Sequence, residues 1–143
     1  MNDNVNPAQE NQSSTPPVLI HTQYIKDMSL EIPHAPEIFR ELTAAPKIDV
    51  QVEVNARPLH DEFHVSNLHY TLNGKINDKP LFILELQYEA VVSLNVAKEH
   101  IKPVLMVEIP RMLFPFVREI VGSYSSVVGL PLRETLNLLR FYL

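Results

Sequence analysis

From Leu81 to Leu94 the chain alternates almost without a break. Phe82, Leu84, Leu86, Tyr88, Ala90, Val92 and Leu94 keep one phase, and Glu85, Gln87, Glu89 and Ser93 keep the other. A period of two marks a strand with one face on a core. Fourteen residues of it extend about 45 Å, longer than a small domain needs, so the chain is committed to a bent or large curved sheet. Ile83 and Val91 sit in the polar phase, an apolar surplus on the face that a one-sided cover leaves to water.

Three further alternations precede it. Tyr24, Met28, Leu30 and Ile32 share a phase against Asp27, Ser29 and Glu31, with Ile25 and Lys26 breaking the pattern, and Pro33 and Pro36 end what reads as an edge strand. Glu37 to Leu42 has room for a helical turn or two before Pro46. Ile48, Val50, Val52, Val54 and Ala56 then alternate up to Arg57-Pro58, and Leu68, Tyr70, Leu72 and Ile76 do so around Gly74. Asn73-Gly74 and Asn77 to Pro80 compete as turns. A turn at Gly74 would pair Lys75 to Pro80 with few hydrophobic residues to offer, so the turn belongs at Asn77 to Lys79 and Gly74 marks a bulge or bend. The short links hold no crossover helix, which makes the order antiparallel.

The cover for this sheet lies downstream. Leu113, Phe116, Val117, Ile120, Tyr124 and Val127 follow helical spacing, with Arg111, Arg118 and Glu119 around the other side. Pro115 fits the first turn of a helix that starts near Met112 or Leu113, but bends one that starts at Pro110. Residues 95–109 read as a short helix leading into it. Gly129 and Pro131 supply a stop, and Leu132, Leu136, Leu139 and Leu143 mark a second helix. The expected fold is α+β, a four-stranded antiparallel sheet with two principal helices on one face. Residues 1–17, rich in Asn, Gln, Ser and Pro, read as a disordered arm before a single domain over 18–143.

Chemistry is harder to place. His60, His64 and His69 match no zinc spacing, and there is no cysteine to complete a set. Three scattered glycines build no phosphate loop, and Ser93, Ser123, Ser125 and Ser126 lie in no nucleophile elbow. Glu85 and Glu89 share a strand face but stand about 13 Å apart, too far for a water-spaced acid and base. The chain therefore reads as no enzyme and needs no cofactor. With 12 Lys and Arg against 17 Asp and Glu, net charge -5, no cationic run calls for nucleic acid. No leader and no run near eighteen apolar residues is visible, so the expected address is the cytoplasm, without membrane insertion. What remains is apolar surplus: Ile25, Ile83, Val91, Met112, Leu138, Phe141 and Tyr142. It suits either a thicker core with scattered surface hydrophobes, or a chain that oligomerises and binds apolar segments of others.

Two stretches carry a resemblance. Tyr24 to Phe39, YIKDMSLEIPHAPEIF, and Pro110 to Glu119, PRMLFPFVRE, closely resemble the signature segments of the SecB family of bacterial protein-export chaperones, and the likeness runs from about Tyr24 to Leu143. It implies a homotetramer built as a dimer of dimers. It also implies a function: holding unfolded precursor proteins translocation-competent without ATP and delivering them to the SecA motor. Carried onto this chain, the SecA-facing surface falls on Asp27, Glu31, Ile83 and Glu85. Subunit packing falls on the strand positions Leu84, Leu86 and Tyr88, and on the helix positions Phe116, Ile120 and Tyr124. Client binding falls on Phe82, Leu136 and Phe141. Glu89-Ala90 stands where the family commonly has Gly-Gly, Ile109 where it has Cys, and Glu134-Thr135 where it has Asp-Pro. The chain stops at Leu143, without the metal-binding tail of many members. A SecB-like chaperone dedicated to another partner, such as an antitoxin, and a non-catalytic oligomeric adaptor stay open as alternatives.

Overall fold

A computed structural model describes residues 15–127. Strands β1 (Val18–Glu31), β2 (Lys47–Pro58), β3 (Phe63–Ile76) and β4 (Lys79–Leu94) form one antiparallel sheet in the order β1-β4-β3-β2. Each is longer than its apolar alternation alone, because polar ends pair as readily as apolar middles once a ladder is started. β2, β3 and β4 make a meander, whereas β1 crosses to the far side and takes β4 as its partner. The intervening residues 32–46 hold Pro33, Pro36 and Pro46, which withhold ladder amides and prevent a hairpin with β2; Glu37–Glu41 forms a 3-10 turn there.

The β3–β4 turn lies at Asn77-Asp78, both with positive φ (50 and 61), the conformation a two-residue hairpin requires and Asn and Asp tolerate. Gly74 pairs with Phe82 and does not turn the chain. The register steps just beyond it, from Gly74↔Phe82 to Lys75↔Pro80, leaving Leu81 as the extra residue. The Phe82 ring lies across Gly74, in the space that any Cβ there would occupy.

The sheet has two unlike faces. On one, Leu68, Tyr70 and Leu72 of β3 meet Leu84, Leu86, Tyr88, Ala90 and Val92 of β4, all buried beneath the helical cover. That cover is a nearly continuous helical run: α1 (Lys98–Pro103), a π turn (Val104–Glu108) and α2 (Ile109–Val127). The expected short helix leading into a longer one is what residues 95–109 form. α2 starts at Ile109, so Pro115 is interior and withholds the amide that would meet the Arg111 carbonyl. Pro110 falls in the first turn of α2, directly after the π turn, whose wider spacing relieves the clash between a proline ring and the carbonyl four residues back.

The buried stripe is Leu105, Ile109, Leu113, Val117 and Val121, a strict every-fourth row. Phe116, expected on the core face, is instead 43% exposed, while Ile120 and Tyr124 are half-buried at the margin. One helix lying on a sheet buries a narrow row, and Phe116 is a full 100° turn away from Val117 in that row. The second helix expected after Pro131 lies outside the described residues, as does most of the expected N-terminal arm.

Gly74→Ala should destabilise the protein by about 1–3 kcal/mol, since the Phe82 ring is enclosed and has nowhere to go. Adding Phe82→Leu should make the combined loss smaller than the sum, with a coupling of about 0.5–3 kcal/mol in urea unfolding.

Candidate functional site

The second sheet face is left open by every described element, and its residues come together by register. Glu31 of β1 lies opposite Ile83 of β4, Ser29 opposite Glu85, and Asp27 opposite Gln87. Asp27, Glu31, Ile83 and Glu85 therefore share one face of two paired strands, with the three carboxylates exposed and Ile83 half-buried among them. The same rows continue through β3 to β2, where Asp49 pairs with Asn73 and Glu53 with His69, so two more carboxylates join the field. Sequence reasoning missed Asp49 and Glu53. They alternate correctly within β2, but nothing in a single strand says which others lie beside it.

The alternation in β1 is interrupted twice, with the register stepping between Ile20 and Thr22 and between Ile25 and Asp27. His21 and Lys26 are the extra residues of two bulges. The break at Ile25-Lys26 visible in the sequence is the second of these. It lets Met28 and Leu30 face the core while Tyr24 remains on the open face.

Next to that bulge the open face buries a carboxylate. Glu89 is 1% exposed. Tyr24 Oη donates to its Oε1 at 2.8 Å, Asn67 Nδ2 donates to Oε2 at 2.8 Å, Arg57 Nη1 donates to Oε2 at 3.3 Å, and Lys26 Nζ stands 3.6 Å from Oε2. Burial alone would push the Glu89 carboxyl up. The hydrogen bonds from Asn67, Tyr24 and Arg57, together with the Lys26 charge, outweigh it and hold the carboxyl below its usual value. Burial and the bond to Glu89 push the Tyr24 phenol up. On the covered side, Tyr88 Oη donates to Gln23 Oε1 at 3.0 Å, so β1 is tied to β4 on both faces.

The other expected positions are distributed differently. Leu84, Leu86 and Tyr88 share one face as the alternation requires, and all three are buried in the chain's own core. Phe82 is also inside, 2% exposed, and offers no accessible surface. Leu136 and Phe141 lie outside the described residues. Accessible apolar surface is found elsewhere. A cleft of ≈ 340 Å³ opens between the β2 end at Ala56 and Pro58 and the helical residues Ile101, Leu105 and Met106, with Arg57, His64 and Lys102 also lining it. A second, of ≈ 530 Å³, lies beside the 3-10 turn, lined by Pro33, Ala35, Ile38, Glu41 and Lys79 among others. On the helices, Met106, Val107, Met112 and Phe116 are exposed. No group of metal-binding side chains occurs among the described residues, and no helix there is long and apolar enough to cross a membrane.

A helix-covered antiparallel sheet with an acidic open face and apolar clefts defines a protein that works by binding other chains. The comparisons with known proteins agree. The family described as "Preprotein translocase subunit SecB" matches residues 11–136. The "Protein-export protein SecB" of Rhodospirillum rubrum is 44% identical over 117 residues, spanning 81% of this chain and 73% of that protein. That of Paramagnetospirillum magneticum is 40% identical over 138 residues, spanning 94% and 89%. The SecB-like chaperone of Mycobacterium tuberculosis, solved with a peptide from an antitoxin, superposes with a TM-score of 0.65 at 14% identity, covering 80% of this chain and 85% of that one. This chain belongs to the SecB family of protein-export chaperones, whose work is not catalytic.

Glu89→Gln should destabilise the fold by about 1–2 kcal/mol at neutral pH: the amide keeps one oxygen to accept from Asn67, but it loses the charge that Arg57 and Lys26 meet and sets an NH2 group where the second oxygen accepted. Because the folded carboxyl titrates below 4.5, the advantage of wild type is full above that value. It fades as the pH falls through the lower folded value, since the native carboxylate is then also neutral. Urea unfolding of both proteins at about pH 7 and about pH 3 checks the sign.

Proposed function

We propose that this protein is an ATP-independent holding chaperone of the cytoplasm that keeps precursor proteins unfolded and delivers them to the SecA export motor. Two points support the reading: relatives of high coverage carry the name protein-export protein, and the register gathers Asp27, Glu31, Ile83 and Glu85 on one accessible face. The second is the observation that carries it. An acidic field with an apolar residue at its centre suits a partner with a basic surface, because complementary charge speeds encounter while a desolvated hydrophobe adds affinity.

Clients would bind elsewhere, at the apolar clefts beside Ile38 and Leu105. An unfolded chain presents many weak apolar segments, and several shallow sites on one particle raise its effective concentration without demanding one sequence. Such a particle is a homotetramer, a dimer of dimers, in which Phe116, with Ile120 and Tyr124 beside it, packs against helices of other subunits. Leu84, Leu86 and Tyr88 act on assembly from within, by shaping the sheet that β1 borders. This arrangement separates the motor-binding face from the client surface, so both can be occupied at once.

A second reading keeps the holding activity and replaces the motor with a dedicated partner. The fold of the mycobacterial chaperone, solved with an antitoxin peptide, is the observation in its favour. Retained affinity for SecA separates the two readings.

Asp27→Lys combined with Glu85→Lys should weaken SecA binding by about tenfold or more, roughly 1.4 kcal/mol, with client binding unchanged. Titration of both partners checks it, and unchanged SecA affinity would refute the proposed face. Phe116→Glu should lower the particle mass in light scattering from that of a tetramer, because it puts a charge where an apolar contact is expected. In the same measurement, a wild-type particle that gains mass with an unfolded client supports the chaperone reading, and one indifferent to clients defeats it.

A further inference from the structure

Glu89 is a buried carboxylate on a sheet face otherwise open to water, and its partners come from all three other strands: Tyr24 and Lys26 of β1, Asn67 of β3 and Arg57 of β2. On its own strand it is joined only through Asn67, which also donates to Gln87 Oε1 at 3.4 Å. Tyr24 and Lys26 bracket Ile25, the last residue before the register steps, and Lys26 is the residue the ladder leaves unpaired. Side-chain parity demands one extra residue somewhere in this part of β1, so that Met28 and Leu30 reach the core. Parity does not say where. A bulge at Lys26 puts Asp27 opposite Gln87, in line with Glu31 and Glu85, whereas a bulge displaced past Lys26, to Asp27 itself or beyond, would take Asp27 out of that line. The attachments that distinguish these positions on the open face are those of Tyr24 and Lys26, and both end on Glu89.

The same carboxylate has an electrostatic effect. Lys26 and Arg57 have side chains 49% and 53% exposed and border the acidic rows. Paired with Glu89, they are partly neutralised. Unpaired, they would leave two positive charges on the open face, Lys26 next to Asp27 in the chain and Arg57 across the sheet on β2, and oppose the field that a basic partner meets.

We propose that Glu89 is the positioning residue of the acidic face: it fixes the β1 bulge at Lys26, which sets the stance of Asp27, and it holds Lys26 and Arg57 out of the field of the surface carboxylates. Glu89 is too buried to touch the partner and acts through these neighbours. The proposal rests on the docking face described above as the SecA-binding surface, and it adds the residue on which that surface depends.

The test titrates the full-length protein with purified SecA and with an unfolded client, comparing wild type, Glu89→Gln, Tyr24→Phe and Asp27→Lys. Association rate, salt dependence and backbone amide exchange at Lys26 and Asp27 are also measured. Glu89→Gln should weaken SecA binding about tenfold, chiefly through a slower association rate with altered salt dependence, and leave client uptake unchanged. Amide exchange at Lys26 and Asp27 should quicken. Tyr24→Phe keeps the charge and removes one attachment; it should give a smaller loss, about two- to fivefold, with the same local quickening.

If Asp27→Lys loses SecA while Glu89→Gln binds like wild type, the positioning role is overturned and the docking face stands. If Asp27→Lys also binds like wild type, the docking face itself fails. A Glu89→Gln protein that loses SecA and client together, with the association rate unchanged, has a general folding defect and overturns the proposal. Should Glu89→Gln fail to fold, Tyr24→Phe decides: wild-type affinity and exchange overturn the proposal.

Discussion

The pairing of β1 with β4 is the contact on which the rest of this molecule depends. β2, β3 and β4 are neighbours in sequence and close their ladders over short links, at little entropic cost. β1 must instead cross the sheet and find a strand 52 to 76 residues away. That non-local choice buries β4 between two neighbours. It turns the longest alternation in the chain into a central strand, and it places the carboxylates of β1 beside those of β4. The pair is tied on both sides, by Tyr88 to Gln23 beneath the helices and by Tyr24 and Lys26 to Glu89 on the open face.

The sheet divides its labour by face. The covered face is apolar and close-packed, and it excludes even Leu84, Leu86 and Tyr88 from contact with a partner in the single chain. The open face is polar and acidic, yet it carries Glu89 as deeply buried as a core residue. Such a group is tolerated only because each oxygen is satisfied and two cations stand against one charge. By the resemblance of the sequence, Glu89 and Ala90 stand where the family is expected to have Gly-Gly. At that position Glu89 joins four strands through side chains, in addition to the backbone ladder.

The helical cover is shaped by its prolines. Pro103, Pro110 and Pro115 would break a regular helix, but the π turn before Pro110 keeps the run continuous and keeps Leu105, Ile109 and Leu113 over the sheet. A row of every fourth residue is all that one helix can bury here. The remaining apolar side chains, Met106, Val107, Met112 and Phe116, are exposed on the single chain. Of these, Met112 belongs to the apolar surplus read from the sequence, and all four fit a protein whose work is contact with other chains.

Much of this could be read from residue order alone, because alternation and turn chemistry are local. The four strands, the turn at Asn77-Asp78, the special place of Gly74, the break at Ile25-Lys26 and the face shared by Asp27 and Glu31 all follow from properties of adjacent residues. So does the family, whose signature lies in two contiguous stretches. Position across the sheet was not legible, because pairing partners are chosen by the whole core and not by any one strand. Only the tertiary structure set β1 against β4, brought Asp49 and Glu53 into the acidic rows, turned Phe116 outward and enclosed Phe82. Glu89 shows the limit most clearly. In the alternation it is one of two acidic residues in the polar phase of a long strand, and nothing in that pattern tells it from Glu85. Folding leaves Glu85 in water and buries Glu89, because only at Glu89 do neighbours on three other strands, remote in sequence, supply the donors that make burial tolerable.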